Sequence, residues 1–412
     1  MFRQENSNAQ SDFVRLPDDV LILILGQLDL TTQLEMTHVH IRFLMLMPLV
    51  WRSQCRSTTL SLIELHLSDK DLRFFLGSNR ETFQMLRLKM EKRVNFDILT
   101  SYIFPNIHDF RFSTCMFWLN DSDIPRIIRA FPNLRTFSPY GSFTGQYMQD
   151  FTSLENLTVS YCRTFKMANL IPILETRKLK GLKLGMFDDE HLKTTKLPLE
   201  GIRHLEVLQC DTEEMARWFL EHMEHLTKLK KLFFCGPISW HVVRRVLNSS
   251  NRKNIKCLQI NTSGADLFNF FPSLTVQIHT LQMANAVIPL NKMPNTTVNL
   301  NINQIYLKRC DISEQEYFDK LLKDLKTLEI LGLDGCIFCF GAYTFSVKEI
   351  VRNRGTALHV HLNQNLYLDS TDIIDKTLPM LWNVEGEHSL FKLHEGTLNI
   401  TYGCENVAIY FE

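Results

Sequence analysis

The chain has no surplus of charge of either sign: 45 lysines and arginines face 45 aspartates and glutamates over 412 residues, and the pI is near 7.2. A balance of that kind offers no global basic field to draw in nucleic acid. No apolar run approaches the roughly 18–20 residues needed to span a bilayer. The first residues, Met1 to Asp12, are polar and lack the apolar core of an export signal. Glycine-rich phosphate loops, Gly-x-Ser-x-Gly elbows, His-Glu-x-x-His helices and convincing carboxylate pairs are missing as well, which removes the common routes to catalysis. Cys336-Ile-Phe-Cys339 is a CxxC without the second pair a tetrahedral zinc site would need. His359 and His361 share one face of a predicted strand, two potential metal ligands with no third nearby. The expectation is a soluble, reduced, intracellular protein of cytoplasm or nucleus, without disulfides, metal, cofactor or catalytic residues.

What the chain does have begins at Leu16. Pro17 suits the first turn of a helix, where its missing N–H costs nothing, and Asp18 and Asp19 favour the positive helix end. Val20, Leu21, Ile24, Leu25 and Leu28 recur at spacings of three and four and define one helical face. Ile22 and Leu23 fall on the opposite side, so the helix is apolar nearly all round. Apolar residues resume at Leu34 and Val39 and end at Trp51. A segment of about 40 residues cannot bury that much alone. The excess should meet another protein.

From there an apolar residue recurs at Leu65, Leu86, Phe110, Phe137, Leu157, Leu182, Leu205, Leu232, Leu258, Leu281, Ile305, Leu331 and Leu358, at intervals of 20 to 27 residues. Three places before and two places after each anchor the residue is again apolar, except at Gly355 and Pro139. Cys115, Cys162, Cys210, Cys310 and Cys336 each follow an anchor by five, where scattered placement of ten cysteines would give fewer than one such coincidence, and Asn363 holds that place in the last unit. This is the L-x-x-L-x-L-x-x-[NC] spacing of a leucine-rich repeat, in which each unit is a strand plus a helix and neighbours bury a continuous core. Ser313 to Glu316 and Ser346 to Glu349 read as capping boxes, and Met215, Phe219, Met223 and Leu226 as an inward stripe. The interval from Phe137 to Leu157, with Pro139, Gly141 and Gly145, is too short for a regular helix.

The segment Leu16-Pro17, Asp18-Asp19, Val20 to Leu28, Asp29-Leu30 to Val39, Phe43 and Trp51 resembles the F-box. Phe43 stands where that family usually has Trp, and His40 where it usually has Cys or Ser. Together with the repeats, the chain resembles F-box proteins with leucine-rich repeats over nearly its whole length. The resemblance implies an α/β fold: a small all-α three-helix F-box at 14–56 after a disordered 1–13, then a right-handed βα horseshoe of about thirteen units at 60–363 with parallel strands on its concave face. Residues 364–412 would cap the stack, with a hairpin where Leu398, Ile400 and Tyr402, then Val407, Ile409 and Phe411, alternate around Gly403.

By the same resemblance, Leu16, Pro17, Val20, Leu21, Ile24, Leu25, Leu28, Val39 and Trp51 would dock on a Skp-type adaptor and through it a cullin. The repeats would select a protein substrate for ubiquitin transfer by other subunits. Lys231, Phe233, Tyr306 and Lys308, placed outward on predicted strands, combine aromatic area with charge and are the candidate substrate contacts. The other reading is a repeat scaffold or inhibitor that never joins a ligase.

Overall fold

The computed structural model describes residues 12–61, 67–90, 92–113, 118–160, 162, 164–176, 178–185, 196–236, 239, 242, 254–261, 277–285, 287–288, 302–312, 315, 318, 322–323, 325–339, 343–346, 350–352, 354–363, 365–367, 382–385 and 391–395. The chain divides into two compact units, residues 1–177 and 178–412. The division falls inside the repeats, not at the end of the helical segment.

The first unit opens with three helices, α1 (Asp18–Leu25), α2 (Leu30–Val39) and α3 (Ile41–Gln54). Pro17 is the N-cap residue of α1, whose first turn carries Asp18 and Asp19. Asp29 caps α2 by accepting from the Thr32 N–H at 2.9 Å, and His40 caps α3 by accepting from the Arg42 N–H at 3.1 Å. One buried side chain ties the bundle together. Gln33 donates to the carbonyls of Leu25 and Leu28, 3.1 and 2.9 Å away, and accepts the Trp51 indole N–H at 2.7 Å.

Strands and helices then alternate: β1 (Ser57–Ser61), α4 (Asp69–Asn79), β2 (Met85–Lys89), α5 (Arg93–Leu99), β3 (Asp109–Ser113), α6 (Ile124–Ala130), β4 (Thr136–Ser138), β5 (Asn156–Ser160) and α7 (Met167–Thr176). The five strands pair in parallel, in chain order, as an open sheet. As the short interval foretold, β4 and β5 are joined without an α-helix, through a 3-10 turn at Met148–Asp150. Trp51 meets Phe75 edge-on at 4.9 Å between ring centroids. The aromatic contacts continue through Phe83, Phe104, Phe131, Phe110 and Phe137 to Phe151, each fully or almost fully buried. The helices therefore share a core with the repeats that follow them.

The second unit holds β6 (Gly181–Gly185), α8 (Leu199–Ile202), β7 (Val207–Cys210), α9 (Glu213–Leu220), β8 (Lys231–Phe234), β9 (Asn254–Asn261), β10 (Gln277–Ala284), β11 (Val287–Ile288), β12 (Gln304–Lys308), β13 (Asp311–Ile312), β14 (Ile330–Asp334), β15 (Ile337–Phe338), β16 (Tyr343–Ser346), β17 (Leu358–Asn363), β18 (Leu366–Tyr367), β19 (Trp382–Glu385) and β20 (Phe391–Glu395). Nine of these form a parallel sheet in the order β6-β7-β8-β9-β10-β12-β14-β17-β20, and β11-β13-β15-β18 form a smaller one. The parallel order and the buried apolar ladder are consistent with a leucine-rich-repeat fold. No described helix is long and apolar enough to cross a membrane. The inward stripe of α9 and the turn after it is present: Met215, Phe219, Met223 and Leu226 are all buried.

Strand register corrects the anchor series at three places. Leu65 lies outside the described residues, and the strand that pairs with β2 lies earlier, setting Thr58 opposite Leu86. Leu208, not Leu205, pairs with Leu182 and Leu232. An L-x-x-L motif slid by three residues still matches itself in part, and Leu205 is buried at the preceding apolar place. Val360, not Leu358, pairs with Leu331. There Leu358, Val360 and Leu362 are all buried, and a two-residue slip keeps every side chain on its face. Nor do the repeats stop at 363, because β20 adds another parallel strand with Leu393 opposite Val360. The predicted hairpin, Ser313, Glu316 and Glu349 lie outside the described residues.

The cysteine position survives these shifts. Cys310 Sγ lies 3.7 Å from the Met283 carbonyl oxygen, and Cys336 Sγ lies 3.3 Å from that of Leu307, in each case two places past the anchor of the preceding strand. Counted from Val360, the equivalent residue is Asn365, which donates to the matching Leu333 carbonyl at 3.2 Å. Asn363, expected there, donates instead to Asp334. Cys210 is also buried but lies two places past its anchor, and Cys115 lies outside the described residues. One residue earlier the backbone enters the left-handed region at Asn285, Arg309 and Gly335. That turn starts the short second strands, an element absent from the strand-plus-helix expectation. Cys235 is disulfide-bonded, against the expectation of reduced thiols throughout, while the other described cysteines are free.

Two measurements check this core. Trp51→Ala should lower stability by about 3–5 kcal/mol in denaturant titrations of the full chain. Trp51→Phe should cost less, roughly 1–3 kcal/mol, largely for leaving the Gln33 oxygen buried without a donor. Separately, a thiol reagent should label Cys339, which is exposed, well before Cys162, Cys210, Cys310 and Cys336, all of them buried.

Candidate functional site

Two surfaces carry the candidate residues, and the folding of each chain segment decides what it leaves outside. On the helices, Leu21, Leu25 and Trp51 are fully buried, so these three candidate adaptor contacts belong to the protein's own core. The reason is the Gln33–Trp51 hydrogen bond together with the Phe75 contact, which pull that stripe inward. Leu16, Ile24 and Leu28 are half-buried, Pro17 is exposed, and Val20 and Val39 are exposed apolar residues.

Four further exposed apolar side chains are not among the candidate contacts: Leu23, which the sequence already set on the opposite side of α1, and Ile41, Met45 and Leu49. With Val20 and Val39 they range from 39% to 71% exposed, and they make up six of the nine large exposed hydrophobics among the described residues. Ile41, Met45 and Leu49 follow one another at i, i+4 and i+8, a single stripe of α3 that its spacing alone could have revealed. Phe43 is buried against Phe13 and His40, at ring distances of 5.6 and 5.8 Å. The departures at Phe43 and His40 therefore lie within the bundle and its α3 cap. Arg42 donates to Asp18 and to the Val14 carbonyl, linking the start of α3 to the start of α1.

On the strands, Lys231 is exposed and Lys308 is half-buried, with its ammonium 3.9 Å from Asp334. Phe233 and Tyr306 are not the free aromatic anchors expected, being only 6% and 8% exposed. Rows across a sheet repeat at about 4.8 Å, so long side chains cover their neighbours. Phe233 stands in register between Gln209 and Gln259 with the Lys183 ammonium 5.7 Å from its ring, and Tyr306 stands between Gln282 and Gly332. The Tyr306 hydroxyl donates to Gln304 at 3.3 Å. The four residues do not make one exposed patch.

Asp211, two residues beyond Gln209, is the most perturbed acid near this row. It accepts from the Gln209 amide at 3.1 Å, and a Cβ on Gly185 would come within 2.1 Å of its carboxylate. Burial pushes its carboxyl up to about 6, opposed by the Gln209 hydrogen bond and by Lys183. The two cysteines of the CxxC lie in different surroundings, Cys336 buried and Cys339 exposed. Among the described residues no group of three His, Cys, Asp or Glu side chains is arranged to hold a metal ion.

No family model matches the sequence, and no curated protein matches it. Among solved structures the chain is similar to one in the Toll–Spätzle complex of Drosophila, described as a molecular hub in development and innate immunity. The identity is 15% and the TM-score 0.38, over 80% of this chain and 45% of that one. The chain thus spans less than half the length of the Toll–Spätzle chain.

The Asp211 environment gives a signed expectation. A carboxyl whose folded pKa is raised binds more protons folded than unfolded, so its contribution is favourable below about pH 4 and is lost as pH rises through about 6. Asp211→Asn should therefore raise stability at neutral pH by roughly 1–3 kcal/mol and have little effect near pH 4. Urea titrations at the two pH values read the difference.

Proposed function

We propose that the protein is a non-catalytic substrate-recognition subunit of an SCF-type ubiquitin ligase. Its amino-terminal helices would dock on a Skp-type adaptor, and its repeats would hold a protein substrate. The observation that carries the reading is the unpartnered apolar set Val20, Leu23, Val39, Ile41, Met45 and Leu49, on helices whose opposite side is buried in the chain's own core. Six exposed large apolar side chains within one short helical segment are the kind of surface that a protein partner covers. The resemblance of Leu16-Pro17 through Trp51 to the F-box names the partner class.

In this reading catalysis is proximity. A substrate lysine held near a charged conjugating enzyme reacts at a raised effective concentration. The adaptor contacts are the exposed set, with Pro17, Val20 and Val39 from the sequence-based candidates and Leu23, Ile41, Met45 and Leu49 added. On the repeats, the sheet face of the second unit is the reader, with Lys231 its most accessible candidate. The alternative, a scaffold or inhibitor without a ligase, would use the same repeats and leave the helix face free for a different protein.

Because Leu23 and Met45 are exposed, changing them should not disturb the fold. Leu23→Asp and Met45→Asp should each weaken capture of the adaptor by the full chain at least tenfold, since truncating a docking anchor costs about 2 kcal/mol or more. Leu21→Ala should instead lower stability. Failure of the intact chain to co-purify with the adaptor would leave the scaffold reading.

A further inference from the structure

At the far end of the second unit, β17 and β20 bring together three histidines that the sequence separates. His361 and His394 stand opposite each other in the parallel register. Their rings stack with centroids 4.4 Å apart and planes 11° apart, and His359 lies 5.3 Å from His394 at 7°. His359 Nδ1 and His394 Nε2 are 3.0 Å apart, a hydrogen bond in which one nitrogen donates and the other accepts. Among the described residues the three rings do not form a group of three side chains arranged to hold a metal ion.

We propose that His359, His361 and His394 form a proton-operated latch, in which neutral imidazoles hold β20 against β17 and protonation loosens that strand. The hydrogen bond between His359 and His394 needs one unprotonated nitrogen as acceptor; once both rings are cationic, two N–H groups face each other and the bond is gone. Each added charge then sits within about one ring width of the next. The described residues in register with the cluster bring little charge to offset this. From β14, Ile330 and Gly332 occupy the facing register positions and bring no charge, and Asp334, the next outward residue, is engaged by Lys308 and Asn363. From β20, Lys392 is in register with His359 and Glu395 with Leu362.

The sign agrees. Burial and then the neighbouring His394 and His359 push the His361 pKa below its ordinary value. A histidine with a depressed folded pKa contributes stability that is fully present above the unfolded value, near 6.5, and is lost as pH falls through the folded one. The latch is thus closed at neutral pH and opens in mild acid, whatever the amino-terminal helices bind.

The test is amide hydrogen exchange of the full chain at about pH 7.5 and about pH 5.5, corrected for intrinsic exchange. Protection of residues 391–395 should fall at least tenfold at the lower pH, while that of Met85–Lys89 should not. In His394→Phe, which keeps a stacking ring without the titration, the pH-dependent change should shrink below twofold. Unchanged protection in the parent, or the same acid loss in His394→Phe, would overturn the proposal. Since that variant could leave the strand open at both pH values, isotope-labelled histidines of the parent are also titrated by NMR. At least one of the three titrating clearly below 6.5 sustains the latch, and three values at the ordinary position refute it. A gain in protection on adding micromolar zinc at neutral pH would also refute it, by revealing a metal site.

Discussion

Each strand of this protein owns very few inward positions, and in-register burial of those positions is the constraint from which the rest follows. A parallel strand of five residues, such as Met85–Lys89, sends only Leu86 and Leu88 inward. Neither is shielded unless the next strand sets its own anchor alongside, as Phe110 does for Leu86 and Phe137 for Phe110. The corner after each strand must then keep its polar groups satisfied while it turns. In the later repeats a left-handed residue makes the turn at Asn285, Arg309 and Gly335, and a buried Cys or a half-buried Asn answers the carbonyl of the preceding strand. Cysteine and asparagine share the position because each is small and can donate. A larger apolar side chain would leave that carbonyl without its partner.

Buried polar groups elsewhere obey the same accounting. Arg354, almost fully buried, donates to the carbonyls of Ile350, Leu328 and Leu322, so a helix end and the start of β14 share one cation. Burial lowers its pKa to about 10, still charged at neutral pH. Asp123, with no exposed side-chain surface, is met by both guanidinium nitrogens of Arg93 and also caps the turn after Asn120. In the helices, Gln33 serves four neighbours at once, Leu25, Leu28, Trp51 and Gln54, and this selects which side of an almost uniformly apolar α1 goes inside. The side left outside, with Leu23 at its centre, is what the proposed adaptor reading uses.

Much of the repeat architecture was legible because its signal is redundant. Apolar places three before and two after each anchor, together with the cysteine position, survive local errors. The strands at Phe110, Phe137, Leu157, Leu232, Leu258, Leu281, Ile305 and Leu331 fall where the spacing put them. The spacing failed where a pattern overlaps itself: by three residues at Leu205 and Leu208, and by two at Leu358 and Val360. In each case both candidates are buried, so hydropathy could not choose, and backbone pairing did.

The sites were less legible, for a physical reason. Periodicity in Val20 to Leu28 identifies a helix and the residues that share a face, but α1 is apolar on both faces. Which face turns inward depends on Trp51 and Phe75, residues remote in the chain. Outward alternation placed Phe233 and Tyr306 on the open side of the sheet, yet whether a side chain there stays accessible depends on what stands one strand away. His394 was invisible as a partner of His359 and His361 because the strand carrying it lies beyond the point where the repeat spacing breaks. By itself the sequence determined the repeating unit, since each unit's apolar spacing is local. Only the tertiary structure decided register, inside and outside, and the meeting of distant side chains, because these depend on contacts that no local pattern encodes.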